Sequence, residues 1–266
     1  MDSLWRQRFA TGYQRLPRPV IAHAHDYAHG EREIWHSHEQ GQLVHAIQGV
    51  VRVLTSQGAW TLAPLHALWI APGVDHELHM VGAVKMRSLR VEPDTAPWLW
   101  TVCRQIEVGA LLRELIGGML RDAREYAPDS NAALIVPLLL RQLREAPVVE
   151  QGKLPLPQDK RLLKVCETLM HMPANNDTLE LLSTQAGASI RTLGRLFKRE
   201  TGLTFGQWRQ QLRLAEAVCQ LSLGEPVARV ARGMGYANAN AFSAMFRRAL
   251  GAAPQRYLRL AAVRPA

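Results

Sequence analysis

A pattern of helix, glycine turn and second helix occurs twice in this chain, and the repeat limits what the C-terminal half can fold into. The first copy spans residues 178–200 and the second residues 226–251, with their turn glycines, Gly187 and Gly235, 48 residues apart. Two helices joined by a short glycine turn form a helix-turn-helix, whose second helix enters the major groove of DNA. One copy alone could equally be an ordinary helical hairpin with a charged solvent face, but such a hairpin would not require a repeat.

The second helix of the first copy is the segment SIRTLGRLFKRE, residues 189–200. Ser189 can accept a hydrogen bond from the free amides at a helix start, so it is a predicted N-cap. Apolar residues at helical spacing predict a buried back, formed by Ile190, Leu193, Leu196 and Phe197. Basic residues off that face predict the exposed front, formed by Arg191, Arg195, Lys198 and Arg199.

In the second copy, Asn238 can cap the second helix, and Phe242 and Phe246 predict its buried side. Small and polar residues lie toward the other side: Asn240, Ser243, Ala244 and Arg247. Between the copies, residues 205–221 predict one long helix, which at about 1.5 Å per residue spans roughly 25–30 Å. Such a helix can hold two recognition helices about one DNA turn, roughly 34 Å, apart.

Charge divides the chain in the same place. The formal net charge is +9, and residues 158–266 contain 16 Lys and Arg against 7 Asp and Glu. Residues 1–157 contain 16 of each class and are neutral overall. Because concentrated positive charge favours binding to a polyanion, this asymmetry favours a DNA-binding C-terminal half and argues against a scaffold that meets no nucleic acid.

The cysteines and the hydropathy pattern indicate a compartment. Cys103, Cys166 and Cys219 are far apart and form no CxxC spacing, so neither a disulfide framework nor a zinc finger is expected. A reducing cytoplasm is the simplest location for such a chain. The N-terminal residues show no signal-peptide core, and no apolar run approaches the roughly 18 residues of a membrane span, so we expect a soluble protein with no membrane partner.

Residues 20–91 are predicted to form many short strands rich in Val, Ile, Leu and Trp and separated by Gly and Pro, which is typical of a small all-β barrel or sandwich. Beyond Pro97 the apolar period becomes helical, with helices predicted over residues 108–124 and 131–144, the latter disturbed at Pro137. These helices could cover an open face of the barrel or form a dimer interface, and both roles can hold at once.

The predicted fold class is therefore a two-domain chain, with an N-terminal β-barrel followed by two helices and a C-terminal all-α domain with two helix-turn-helix units. We expect an N-terminal arm at 1–18, the barrel at 19–97, a dimerisation or cover segment at 98–145 and a linker at 146–158. A helical domain follows at 159–262, with helices near 160–172, 178–186, 189–200, 204–222, 226–233, 239–250 and 254–261.

Nine of the ten histidines lie between His23 and His79. His36 and His38 are two residues apart on a predicted strand and so share a face, and His76 follows a later turn. Neutral imidazoles in such an arrangement can bind a divalent metal of the Ni, Zn, Fe or Mn class. Three interpretations stay open: polar histidines in an effector pocket, a bound metal, or a catalytic metal centre.

Residues 159–262 resemble the DNA-binding domain of AraC-type bacterial transcriptional regulators. The resemblance is specific in the second copy, at Ala231, Gly235, Tyr236, Phe242, Phe246, Gly251, Pro254 and Tyr257. It implies base contacts at Arg191, Gly194 and Arg195 in the first recognition helix and at Ala239, Asn240, Ser243 and Ala244 in the second. Thr192, Lys198, Arg199, Asn238 and Arg247 complete the predicted DNA-binding set. Because arginine can pair with guanine and asparagine with adenine, Arg191 and Arg195 should dominate sequence readout, with Asn240 as the main contributor from the second helix.

Residues 30–49 and 72–76 resemble the two cupin motifs, at Gly30, His36, His38, Gln42 and Gly49 and at Pro72, Gly73 and His76. Gln42 stands where metal-binding cupins have glutamate. The combined resemblance implies a dimeric regulator that binds operator DNA, responds to a small-molecule or metal effector at His36, His38, Gln42 and His76, and works with RNA polymerase. The competing hypothesis is a metal-dependent cupin enzyme with an accessory helical domain, which stoichiometric bound metal would distinguish.

Overall fold

A computed structural model of the chain describes residues 9–10, 15–149 and 153–261. The chain folds into two compact units. The first unit contains the residues up to 150 and the second those from 151, with 57–59 grouped with the second. Each unit has a hydrophobic core of its own.

The first unit carries β1 (Phe9–Ala10), β2 (Val20–Tyr27), β3 (Arg32–Ser37), β4 (Gly41–Thr55), β5 (Gly58–Leu62), β6 (His66–Ile70), β7 (His76–Val91), β8 (Arg104–Glu107), α1 (Ala110–Met119) and α2 (Asn131–Glu145). The second carries β9 (Lys153–Leu154), α3 (Lys160–His171), α4 (Leu179–Ala186), α5 (Ile190–Leu196), α6 (Phe205–Ser222), α7 (Val227–Gly233), α8 (Ala239–Leu250) and α9 (Pro254–Ala261). The predicted fold class is confirmed: a strand-rich unit with two helices precedes an all-helical region.

The long antiparallel pair β4–β7 is the centre of the sheet. The sequence predicted many short strands in residues 20–91, but β4 and β7 are 15 and 16 residues long. Each runs continuously through a bend, with register shifts between Ala46 and Val50. Gly49 and Gly82 lie at the bend with φ of 77° and 78°, a region that favours glycine. A Cβ at Gly49 would lie 2.5 Å from the carbonyl oxygen of Ala83, so the bend requires glycine there.

Shorter strands extend the two halves of this pair. β2 pairs with the second half of β7, and β6 pairs with the first half of β4 and with β8. β3 pairs with the first half of β7, and β5 joins β4. Apolar side chains from both halves meet in one core, for example Val44 and Met86 from one half and Val53 and Leu78 from the other. The folded sheet therefore encloses an interior, as a barrel-like domain requires.

The opposite face of the sheet packs against α1 and α2. Leu43, Trp69 and Leu89 share a second core with Leu112 and Leu139. The helices thus cover one face of the sheet, as one of the two predicted roles requires. One detail of the prediction was wrong, since α1 ends at Met119 rather than near residue 124. The second helix is confirmed as α2, which contains Pro137. The short strand β8 was not predicted.

The described part of the N-terminal arm contacts the rest of the first unit. The Leu16 amide donates to the Glu92 carboxylate at 2.6 Å, and Arg18 Nε donates to the Tyr126 carbonyl oxygen at 2.5 Å. Residues 9–10 pair in parallel with β3. The rest of the predicted arm lies outside the described residues.

His45 lies fully buried on the β4 face that packs against the helices, with Nε2 donating to the Pro64 carbonyl at 2.9 Å. Its Nδ1 is buried with no hydrogen-bond partner in the described part of the chain. Burial lowers the pKa of His45 from 6.5 to about 4, because protonation would place a buried charge on the ring and leave its Nδ1–H without a hydrogen-bond acceptor.

This depressed pKa should make the first unit sensitive to acid. Between pH 6.5 and 4 the unfolded chain binds a proton at His45 that the folded chain does not. The free energy of unfolding should therefore fall as the pH falls through this window, by up to about 1.4 kcal/mol per pH unit for one such histidine. Urea unfolding of His45→Leu should show a shallower pH dependence than wild type, whereas His171→Leu, at an exposed site in the second unit, should not. An unchanged slope in His45→Leu would contradict the assignment.

The helices of the second unit begin and end close to the predicted positions. Thr178, Ser189, Thr204 and Asn238 each cap a helix start by accepting from a backbone amide, which satisfies donors that have no partner within the helix. Leu162, Leu193, Phe197 and Trp208 share the core around the first helix pair. Within the described residues, no helix is long and apolar enough to cross a membrane.

Candidate DNA-reading surface and effector site

The first helix-turn-helix is α4, the turn at Gly187 and α5. Gly187 has φ 65°, a conformation that ends α4 without Cβ strain. Ser189 Oγ accepts from the Thr192 amide at 3.2 Å, and the helix continues past α5 as a π-helical turn over Phe197–Thr201. Leu193, Leu196 and Phe197 are buried as predicted, whereas Ile190 is 42 % exposed and takes little part in the core.

The outer face of α5 presents the predicted arginines. Arg191 and Arg195 are exposed, and neither side chain has a hydrogen bond or ion pair with any residue that the structure describes. Lys198 and Arg199 are also exposed but occupied: Lys198 Nζ donates to the Gly202 carbonyl at 2.9 Å, and Arg199 donates to Glu200 at 2.7 Å. The two arginines are therefore the side chains of this face that can turn to a ligand without breaking an existing contact.

Two predicted contact positions in α5 have other properties. The Thr192 hydroxyl lies 2.9 Å from Ser189 Oγ and so belongs to the cap. Gly194 faces open space, since a Cβ there would meet no atom within 4 Å. A larger residue at Gly194 would not disturb the fold, and the absence of a side chain leaves room for close approach of a partner.

The second helix-turn-helix is α7, a turn at Gly235 and α8. Asn238 Oδ1 accepts from the Ala241 amide at 2.8 Å, so this side chain works as the predicted cap. Phe242 and Phe246 are fully buried, and they orient the helix so that Asn240 and Arg247 are exposed and Ser243 is half-buried. The outer face of α8 thus offers fewer long polar groups than that of α5.

Arg213 on α6 fixes the loop that precedes α4, a role that the sequence did not reveal. Its guanidinium donates to the carbonyls of Pro173 and Asn175 at 2.9 and 2.8 Å and to Asn176 Oδ1 at 2.8 Å. Burial lowers the pKa of Arg213, and the three acceptors compensate the buried charge. No local pattern marks an arginine whose acceptors lie about forty residues earlier in the chain.

The predicted histidines meet in the first unit. The ring centroids of His36 and His76 are 4.2 Å apart, those of His38 and His76 are 5.1 Å apart, and one ligand nitrogen from each ring lies within 4.8 Å of the others. His38 is 8 % exposed and His76 is fully buried. Burial lowers the pKa of His38 to about 4 and that of His76 to about 3, so both rings are neutral near pH 7.

Each ring is oriented by a backbone carbonyl. Nδ1 of His36, His38 and His76 lies 2.8, 2.6 and 2.8 Å from the carbonyl oxygens of Ile34, Gln40 and Val74 respectively. A neutral imidazole that donates from Nδ1 keeps its lone pair on Nε2. Nε2 of His76 is buried without a hydrogen-bond partner among the described residues. This is the arrangement in which metal-binding histidines are held in proteins, so the residues present fit a divalent metal.

Gln42 and Arg90 complete the surroundings of the cluster. The Gln42 amide lies 2.7 Å from His38 Nε2, and Gln42 is the register partner of Arg90 on β7. Arg90 is half-buried and its positive charge contributes to the lowered pKa of both His38 and His76. The sequence predicted Gln42 at this site but not Arg90, because the strand register that brings them together is set by the tertiary fold.

The helical unit with two capped helix-turn-helix pairs and the barrel-like unit with its histidine cluster define the class: a DNA-binding regulator with a separate ligand-binding domain. A family model described as "Helix-turn-helix domain" matches residues 182–260, and one described as "AraC-like ligand binding domain" matches residues 18–143.

Named relatives agree with this class. The chain is 32 % identical over 231 residues to the HTH-type transcriptional regulator NimR of Escherichia coli K12, covering 86 % of this chain and 84 % of that protein. It is 27 % identical over 126 residues to the Arabinose operon regulatory protein of the same strain, covering 47 % and 42 %. A structure of fatty-acid-bound ToxT from Vibrio cholerae matches with a TM-score of 0.39 and 10 % identity, covering 92 % and 96 %. The chain belongs to the AraC family of transcriptional regulators. The enzyme hypothesis finds no support among these relatives.

Proposed function

We propose that this regulator reads two successive major-groove segments of its operator, with α5 as the dominant reading helix and α8 as the second. This proposal rests on the state of two side chains. Arg191 and Arg195 are exposed on α5 and have no hydrogen-bond or ion-pair partner in the described part of the chain. A guanidinium can donate two hydrogen bonds to guanine O6 and N7. Asn240 can pair with adenine in the same way from α8.

The other predicted residues have supporting roles in this proposal. Lys198, Arg199 and Arg247 meet phosphates, which add affinity without sequence information. Thr192 and Asn238 belong to helix caps, so they position the helices, and Ser243 contributes from α8 next to Asn240. α6 separates the two pairs by its 18 residues, about 27 Å of helix.

Selection of binding sites from a random DNA library by the full-length protein tests this function. We expect a preferred half-site with two information-rich segments about one helical turn, roughly 10 base pairs, apart. Binding to it should weaken steeply with salt, because phosphate contacts release counterions. Recovery of no preferred sequence at moderate salt would contradict the proposal. A transcription assay with the selected operator would then show whether RNA polymerase is recruited or blocked.

We further propose that the chain acts as a homodimer through α2. Leu134 is 73 % exposed and Leu138 is 42 % exposed, and residues four apart lie on one helix face. A leucine pair facing solvent is typical of a helix that packs against a partner copy.

Charge on this face should break the dimer. Leu134→Asp with Leu138→Asp should shift sedimentation from dimer to monomer, and operator affinity should fall because two half-sites are no longer bound together. Leu111→Asp, at a 49 % exposed leucine of α1 outside the helix-turn-helix units, is the matched control. A variant that stays dimeric would place the interface elsewhere.

The effector site is proposed at His36, His38 and His76, with a divalent metal as the ligand. Nε2 of His76 has no hydrogen-bond partner among the described residues, and Nε2 of His38 would exchange its contact with Gln42 Oε1 for the metal. When bound, the metal supplies positive charge and open coordination positions inside the barrel-like unit. The three backbone carbonyls hold the rings from their Nδ1 side. The effector would act by shifting the balance between dimer arrangements with different operator affinity.

Metal affinity tests this site without any activity assay. His76→Ala should weaken Co²⁺ or Zn²⁺ binding by about 100-fold or more, since loss of a ligand exceeds the 10–100-fold cost of losing a supporting residue. Gln42→Glu should tighten binding, because it adds an anionic ligand beside the cluster. His171→Ala, an exposed histidine of α3, is the control. Calorimetry that finds equal affinity in His76→Ala and wild type would exclude this site.

A further inference from the structure

Arg90 lies on the interior face of β7. Val84 and Met86 of that strand belong to the core enclosed by the folded sheet, whereas Leu89 and Val91 face the helices. Since side chains alternate along a strand, Arg90 points to the same side as Met86. Its register partner Gln42 likewise shares a face with the interior residue Val44.

The positive charge of Arg90 reaches the histidine cluster. The strand register places it there: Gln42 is the register partner of Arg90, and Gln42 Oε1 lies 2.7 Å from His38 Nε2. Its guanidinium makes no hydrogen bond and no ion pair within 4 Å with any described residue. A half-buried cation with no such partner is costly unless something else accepts from it.

The carboxylates nearby are engaged by other groups. Glu33 acts on Arg90 through its charge, but its carboxylate accepts from the Tyr27 hydroxyl. Glu92 accepts from the Leu16 amide and from Gln40. Among the described residues, no carboxylate joins the three histidines as a metal ligand, and Gln42 beside them is neutral.

A divalent ion on the three histidines would therefore add its charge to that of Arg90 without an anionic ligand from the protein. Three ligands also leave coordination positions open. An anion bound beside the cluster would gain from both cations at once, and a planar carboxylate matches the fork of a guanidinium.

Resting on the metal site proposed above, we infer that Arg90 anchors an oxyanion effector, a carboxylate that binds the metal and the guanidinium together. The protein thus senses a small organic acid in the presence of metal rather than metal alone. Because Gln42 is neutral, the metal-loaded site keeps a net positive charge until that acid binds.

The test uses the full-length protein loaded with Co²⁺, whose visible absorption reports its ligands. Titration with acetate should change the spectrum saturably, whereas acetamide, its uncharged isostere, should not. In Arg90→Gln, Co²⁺ should still bind, and acetate affinity should fall roughly 10- to 100-fold, the usual effect of losing a charge-assisted hydrogen bond. Arg87→Gln, on the same strand but paired with Asp26 at 3.1 Å, should behave as wild type.

Arg90→Lys keeps the charge but not the fork, and it should recover only part of the acetate affinity. If Arg90→Gln fails to fold, as judged by thermal unfolding, the Lys variant carries the comparison. Equal acetate affinity in wild type and both variants would overturn the role of Arg90 while leaving the metal site in place. Absence of Co²⁺ binding to wild type would overturn the metal site and this inference together, and operator binding, measured separately, would remain as proposed.

Discussion

Replacing Arg191 and Arg195 together by alanine should weaken binding to the selected operator by about 2–6 kcal/mol, since one bidentate guanine contact contributes about 1–3 kcal/mol and the two contacts read different bases. Both side chains are exposed on α5, so their removal leaves no cavity and no buried polar group. Binding to random DNA should fall much less, because phosphate contacts from Lys198 and Arg199 stay in place. Fluorescence anisotropy at fixed salt with specific and random duplexes measures both quantities.

Arg161→Ala is a suitable control, because Arg161 is an exposed arginine on α3 that pairs with Asp159 at 2.9 Å. This variant also removes a positive charge from the second unit, and it should reduce the affinity for the selected operator only slightly. An equal loss in Arg161→Ala and in the double variant would show that net charge, not base readout, determines operator affinity.

Trp208→Ala should cost about 3–5 kcal/mol of stability in the second unit, the usual range for removing a buried Trp side chain. Trp208 is fully buried, and its Nε1 donates to the Pro155 carbonyl at 2.8 Å. Its ring lies 6.1 Å from that of Phe197, which ends α5. The same residue therefore supports the start of α6 and the back of the recognition helix, so its loss should reduce operator binding at temperatures where the unit begins to unfold.

Far-UV circular dichroism during urea unfolding measures this loss, because the second unit is helical. Trp208→Phe keeps most of the packing and should lose only the hydrogen bond, about 1–2 kcal/mol. Leu223→Ala, at a 47 % exposed site, should be nearly neutral. A Trp208→Ala protein as stable as wild type would mean that the core of the first helix pair lies elsewhere.

The helical unit was largely predictable from the sequence because its signals are local. Thr178, Ser189, Thr204 and Asn238 cap helices as their side chains suggest, and Gly187 ends α4 where the pattern placed the turn. The exposure of Ile190 was not predicted, since helical spacing alone does not show how wide the buried face is.

The strand-rich unit was predicted as a class but not in detail. Gly49 and Gly82 lie at bends within the continuous strands β4 and β7 rather than between separate strands. Glycine permits a turn and a bend equally, so the sequence alone does not distinguish the two. The histidines at i and i+2 were identified by alternation, while Arg90 was missed since its proximity to His38 depends on the β4–β7 register. The role of Arg213 was missed for a similar reason, since its acceptors lie in a loop that is distant in sequence.

Base reading by α5 is the central claim, and the base-preference profile of Arg195→Ala tests it directly. Binding-site selection should return the wild-type preferred sequence with the preference for one guanine position lost and the other positions kept. A profile identical to wild type, or a uniform weakening at every position, would show that Arg195 touches phosphate or nothing, and would contradict the proposed reading surface.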